Sequence, residues 1–140
     1  MKEYYKVVTE NLQSAIMNPR QGMWTKAKED FCIQYKVNEW IKPNKPGSKI
    51  MIFSNFEDAF NFKMLCPNPF LRIYKCHAKN PTKKGFITEI SRVAEKYEKL
   101  YRLIKQKKRV THFYAIEKFK KGWIPKGTLF CSAIKLIECV

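Results

Sequence analysis

Every apolar run in this chain is short, and turn-forming residues separate one run from the next. The runs include 4-YYKVV-8, 50-IMIF-53, 70-FLRIYKCHA-78 and 128-TLFCSAIKLIECV-140. The breakers include 42-KPNKPGSK-49, Pro67, Pro69, 79-KNPTKKG-85 and 120-KKGWIPKG-127. Short segments rich in β-branched and aromatic residues between such breakers read as strands. Segment 31-FCIQYKV-37 sets Phe31, Ile33, Tyr35 and Val37 against Cys32, Gln34 and Lys36, the alternation of a half-buried strand. Segment 110-VTHFYAIEKF-119 reads the same way, whereas 11–30, broken by Asn-Pro and Gln-Gly, has no clear period and reads as a loop with a partial turn of helix. In 70–78, Phe70, Arg72, Tyr74, Cys76 and Ala78 share one face and Leu71, Ile73, Lys75 and His77 the other. Neither face is cleanly apolar, which suits a strand near an edge or a binding surface.

Two segments depart from this pattern. Ser54 or Asn55 can cap a helix over 56–65 whose first turn holds Glu57 and Asp58, and Pro67 and Pro69 stop it. Helical spacing predicts Phe56, Ala59, Phe60 and Met64 as its core face, with Phe62 off that face. A longer helix is predicted from about Thr88 to about Arg109. At about 100° per residue, Ile90, Val93, Ala94, Tyr97, Leu100, Tyr101 and Ile104 fall on one side, and Arg92, Lys96, Lys99, Arg102, Gln106 and Arg109 on the other, with Glu95 among them and Leu103 exposed between them. A chain of 140 residues has the length of one domain. The expected fold is therefore a single α+β domain over 1–140, a mostly antiparallel sheet with one long and one short helix.

The formal net charge of +16 is unevenly spread. Residues 1–70 carry ten Lys+Arg and seven Asp+Glu, a balance of +3, and residues 71–140 carry eighteen and five, a balance of +13. Such a field attracts polyanions. Two accounts of the basic helix stay open. Cations near a helix C-terminus are favoured by the macrodipole, so Lys105, Lys107, Lys108 and Arg109 can be ordinary helix-end residues on a solvated face. Arg92 and Lys96 lie in the N-terminal half, where the dipole gives cations no help, and a basic row along a rigid rod suits a phosphate backbone. Lys118, Lys120, Lys121 and Lys126 surround Trp123, a combination that suits a stacked base or simply a tryptophan packing a turn onto the core; Trp24 and Trp40 admit the same two readings. A lysine-rich composition can also follow from an AT-rich genome, though that gives no reason for the asymmetry.

The sequence holds no P-loop, G-x-G-x-x-G, G-x-S-x-G or H-E-x-x-H motif. Its two histidines, His77 and His112, fall on predicted strands, and the adjacent pair Cys76 and His77 points to opposite faces. Five scattered cysteines without a C-x-x-C pair predict reduced, mostly buried thiols, no metal site and no cofactor. No apolar run approaches the roughly 18 residues of a membrane span, and MKEYYKVVTE lacks an apolar signal region, so a cytoplasmic protein is expected.

The combination of 5-YKVV-8, 14-SA-15, 35-YKVNEW-40, 53-FSNFEDAFNF-62 and 126-KGTLFCSAIKLI-137 resembles small domains encoded by phages and prophages. That resemblance implies a phage protein in the host cytoplasm that binds a host or defence component, and a strand end followed by a helix at 53–62. The succession of 4-YYKVV-8, 50-IMIFSNFEDAFNF-62 and 72-RIYKC-76 is similar to the strand, strand-helix and strand order of ADP-ribosyltransferases, which use NAD. Those enzymes carry a His or Arg in the first strand and a late Glu; here the first strand offers Tyr4, Tyr5 and Lys6, and the late candidates are Glu117 and Glu138.

The leading expectation is a non-enzymatic counter-defence protein that binds nucleic acid or a ribonucleoprotein. Arg92, Lys96, Lys99, Arg102, Lys105, Arg109, Lys120 and Lys121 would contact phosphates and Trp123 would stack. An acidic host protein would suit the same cations. The alternatives are sequestration of a nucleotide ligand and an NAD-using enzyme of ADP-ribosyltransferase type.

Overall fold

A computed structural model of the chain describes residues 1–15, 32–44, 48–66, 69–84 and 125–140. They form six strands and one helix: β1 (Tyr4–Val8), β2 (Trp40–Ile41), β3 (Ile50–Phe53), α1 (Phe56–Leu65), β4 (Arg72–Lys79), β5 (Thr128–Cys131) and β6 (Ala133–Cys139). The sheet order is β2-β6-β4-β1-β3-β5, and each neighbouring pair is antiparallel. The expectation of an α+β domain dominated by an antiparallel sheet holds. The predicted long helix and the 110–119 strand lie outside the described residues.

The pairing closes on itself. β5 and β6 form one run of chain interrupted only at Ser132, yet β5 pairs with β3 and β6 with β4. Thr82, just past β4, exchanges both backbone hydrogen bonds with Phe130 at 2.7 Å, and the Ser132 N–H donates to the Lys79 carbonyl at 3.0 Å. One strand thus serves two partners at a bend, and the ladder runs β1, β3, β5–β6, β4 and back to β1, leaving β2 as an added edge on β6.

The inner face of this ring is the one on which every strand meets the others. Tyr4, Val8, Ile50, Ile52, Cys76, Cys131, Ile134 and Leu136 come from five strands and pack in one cluster, joined by Ile33 and Tyr35. The second cluster lies on the opposite face, where Val7, Met51, Phe53, Ile73 and Phe130 meet Ala59 and Phe62 of α1. Phe53 and Phe62 make an edge-to-face contact at 5.2 Å.

The helix begins as the sequence predicts. Asn55 caps it, its Oδ1 accepting the Asp58 N–H at 2.9 Å and its Nδ2 donating to Asp58 Oδ2 at 2.8 Å. The predicted core face holds at Ala59 alone. Ala59 and Phe62 are buried, and Phe56, Phe60 and Met64 are exposed, Met64 by 67%. A sequence with phenylalanines at 56, 60 and 62 offers two apolar stripes. The fold takes the one centred on small Ala59, which lets the helix approach the sheet, and which also buries Asp58 against Gly127. Gly127 sits at φ +78°, and a Cβ there would run into the Asp58 carboxylate, so this position requires glycine on both counts.

Segment 32–37 also differs from expectation. Ile33 and Tyr35 are buried and Gln34 and Lys36 exposed, as the alternation predicts, but Val37, expected on the buried face, is exposed, and only isolated bridges form, Gln13↔Gln34 and Val37↔Leu136. Its hydrogen bonds go to the 12–14 turn instead: Ser14 N–H to the Ile33 carbonyl, Tyr35 N–H to the Leu12 carbonyl, and Ile33 N–H to Ser14 Oγ. Two apolar side chains reach the ring interior while the backbone is held by a neighbouring loop rather than by the ladder. The strand forms a few residues later, at Trp40–Ile41.

Candidate functional site

On the outward face, the cluster that α1 joins includes Ile73 of β4 and no residue of β6. Strand alternation places Lys75, His77 and Lys79 of β4 outward, because Cys76 and Ala78 belong to the inner cluster. On β6, Ile134 and Leu136 point inward, so Ala133 and Lys135 point outward; on β2, Ile41 packs inward and Trp40 outward. Register then aligns one row across three strands: Trp40 faces Lys135, and Lys135 faces His77.

Lys79 sits two residues along β4 from His77. Its register partner is Ala133, whose small side chain leaves room for the lysine to cross β6. Its Nζ lies 4.4 Å from the centroid of the Trp40 ring, and Trp40 as a residue is 37% exposed. An ammonium over an indole is attracted by the ring's quadrupole, by about 0.5 to 1 kcal/mol at an exposed site. The result is an aromatic platform with one cation above it and another directly beside it.

Charge on this face is arranged unequally. Lys75, one row away, is held by Glu138 at 3.2 Å and Glu3 at 3.6 Å. The Glu138 hydrogen bond and then the Glu3 charge raise its pKa above the ordinary lysine value. Among the described residues no carboxylate pairs with Lys79, Lys135 or His77. Lys79 and Lys135, on adjacent strands, are thus two neighbouring cations with no acidic partner among the described residues.

Beneath this face, inside the ring, lies a second polar group. Lys6 shares the inner face of β1 with Tyr4 and Val8 and is 1% exposed. Because Phe130 exchanges its backbone bonds with Thr82, its register partner Met51 turns its polar groups away from β5 and toward β1. Lys6 Nζ meets the Met51 carbonyl there at 2.8 Å and lies 5.8 Å from the Tyr35 ring centroid. Cys76 is close by, its thiol pushed up to about 12 by burial and by Cys131, against the opposing influence of Lys6. A thiol held protonated to that degree is a poor nucleophile at neutral pH. Its neighbour His77 points outward, as the sequence indicates, so the two form no dyad. Cys131 donates through Sγ to the Ile50 carbonyl at 3.5 Å. These inner groups serve the architecture.

The sequence-predicted residues Arg92, Lys96, Lys99, Arg102, Lys105, Arg109, Lys120, Lys121 and Trp123, with Glu117, lie outside the described residues. Glu138, the other late glutamate, is exposed and paired with Lys75. What the sequence reading missed is the row Trp40–Lys135–His77 with Lys79 above it. Its members are far apart in the chain, and only the register brings them together. No group of three or more His, Cys, Asp or Glu side chains suited to a metal occurs among the described residues. Among the same residues no helix is long and apolar enough to cross a membrane. Comparison with known proteins finds no matching family model, no matching curated protein and no matching solved structure.

Proposed function

We propose that this protein is a phage-type binding protein for a phosphate-rich target, nucleic acid or a nucleic-acid-containing host defence complex, with a counter-defence role. The observation that carries the reading is the pair of unneutralised lysines on the outward face of β4 and β6. Lys79 and Lys135 lie on adjacent strands two register positions apart, while Lys75 on the same face is neutralised by two carboxylates. A fold that tolerates such neighbours without acidic partners gains from an external polyanion, which releases its condensed counterions on binding. The balance of +13 over residues 71–140 supports the same conclusion, and the basic residues Arg92, Lys96, Lys99, Arg102 and Arg109 belong to that half.

The test is the salt dependence of nucleic-acid binding by the full chain. The affinity should fall steeply with salt, log K changing by about −0.7 to −0.9 per phosphate neutralised. Lys79→Glu with Lys135→Glu should weaken binding and flatten that slope by roughly 2. Arg92→Glu with Lys99→Glu should abolish it. A salt-independent affinity, or no affinity for any nucleic acid, would overturn the reading and point to an acidic protein partner.

A further inference from the structure

We propose that the outward face of β2, β6 and β4 is a single-strand site in which an unstacked base lies on Trp40 while Lys79, Lys135 and His77 hold the adjoining phosphates. This deepens the polyanion reading and rests on it. Phosphate charge alone would be met by lysines anywhere on the surface. What distinguishes this place is a tryptophan that is more than a third exposed, fixed on a strand, and flanked by cations on two sides.

Each part has a separate physical role. Trp40 is held by its pairing with Lys135, and Ile41, the next residue, is anchored in the inner cluster, so the indole is presented from a rigid element. An aromatic ring so presented offers a π-face to any base, which makes the contact tolerant of sequence. In a duplex the faces of the bases are already occupied by their neighbours, so the indole would go unused and only the cations would act. A single strand can use both. Lys79 lies over the ring, so a base stacking on that face moves its ammonium aside toward the adjoining phosphate, where Lys135 adds a second positive charge. His77, opposite Lys135, extends that row to the centre of the sheet and offers an imidazole N–H to a phosphate oxygen. Lys42, two residues beyond Trp40 and exposed, extends the cation track along the edge.

The experiment uses the full-length protein with three probes: a fluorescein-labelled oligothymidylate, the same strand annealed to its complement, and inorganic polyphosphate as a polyanion without bases. Wild-type protein should bind the single strand more tightly than the duplex. Trp40→Ala should weaken binding of the single strand at least about fivefold, the low end of what one stacked base contributes, and change polyphosphate binding less than twofold. Trp40→Phe should retain most of the single-strand affinity, which also shows that the edge strand has survived. The quenching of tryptophan fluorescence by oligothymidylate should shrink in Trp40→Phe relative to wild type, although Trp24 and Trp123 remain. Equal losses for strand and polyphosphate, no loss for either, or a duplex bound as tightly as the strand would overturn the stacking proposal and leave polyanion binding intact. Failure of the wild-type protein to bind any of the three would overturn both.

Discussion

Lys6 and Lys79 both lie over an aromatic ring, and the fold treats them in opposite ways. Lys6 is inside the strand ring, 1% exposed, its Nζ bonded to the Met51 carbonyl and near Tyr35. Lys79 is outside, exposed, with its Nζ over Trp40 and no carboxylate beside it among the described residues. The inner lysine completes a hydrogen bond that the strands leave open, so its binding capacity is directed inward. The outer lysine has donors to spare. Location in the ring, rather than residue type, separates an architectural cation from one able to meet a ligand.

The strongest way to break this comparison is to remove the inner donor. Lys6→Met keeps most of the volume and leaves a buried carbonyl without its lysine, so unfolding in urea should show a loss of about 2 kcal/mol. Lys6→Ala adds a cavity and should cost more. A Lys6→Met protein as stable as wild type would mean that burying the amino group costs as much as its contacts return. The inner lysine would then need a reason other than the fold.

A second test uses pH on the neighbouring thiol. Cys76 has a pKa near 12 in the fold against an ordinary value of 9.0. The unfolded chain therefore loses this proton first. Below about pH 9 the contribution to stability is complete, and as pH rises from about 9 toward 12 the native state binds more protons than the unfolded one, so stability falls. One such group contributes at most about 1.4 kcal/mol per pH unit. Between pH 9 and 10 the wild-type protein should lose stability more steeply than Cys76→Ala, by up to about 1 kcal/mol per unit. Identical slopes would show that the inner face admits water to the thiol. The exposed Cys139 gives the matching outer control, reacting with a thiol reagent in the native protein while Cys76 and Cys131 stay protected.

Local chemistry was legible from the chain, and pairing across distance was not. The strands at 4–8 and 50–53, the strand read at 70–78 and found at 72–79, and the Asn55 cap follow from nearby residues, and the opposite orientations of Cys76 and His77 follow from alternation alone. The burial of Lys6 had a signal in the same alternation, since it shares a face with Tyr4 and Val8, but a lysine on an apolar face is easily assigned to solvent. The face of α1 was misjudged because its phenylalanines form two stripes, and the choice between them is made by the sheet. A strand near an edge was one reading of 70–78, yet β4 lies between β6 and β1; the other reading, a binding surface, is the one proposed above. The row Trp40–Lys135–His77 depends on two registers that no local pattern specifies.

The smallest effect gives the comparison its sharpest form. If Lys79 is free to serve a ligand, the fold should scarcely need it. Lys79→Met removes only an exposed contact with Trp40, and unfolding in urea should move by no more than about 1 kcal/mol, the upper end for a cation over an exposed ring. The same variant should lose affinity for oligothymidylate and show a shallower salt slope, because one phosphate contact is gone. A substitution that barely shifts stability and clearly weakens binding separates the outer lysine from Lys6, for which the order should be reversed. If Lys79→Met instead unfolds the protein as readily as Lys6→Met does, the pair over Trp40 is a staple holding β2 to the sheet. The outward face then has a structural reason for its lysine and no claim on a ligand through that residue.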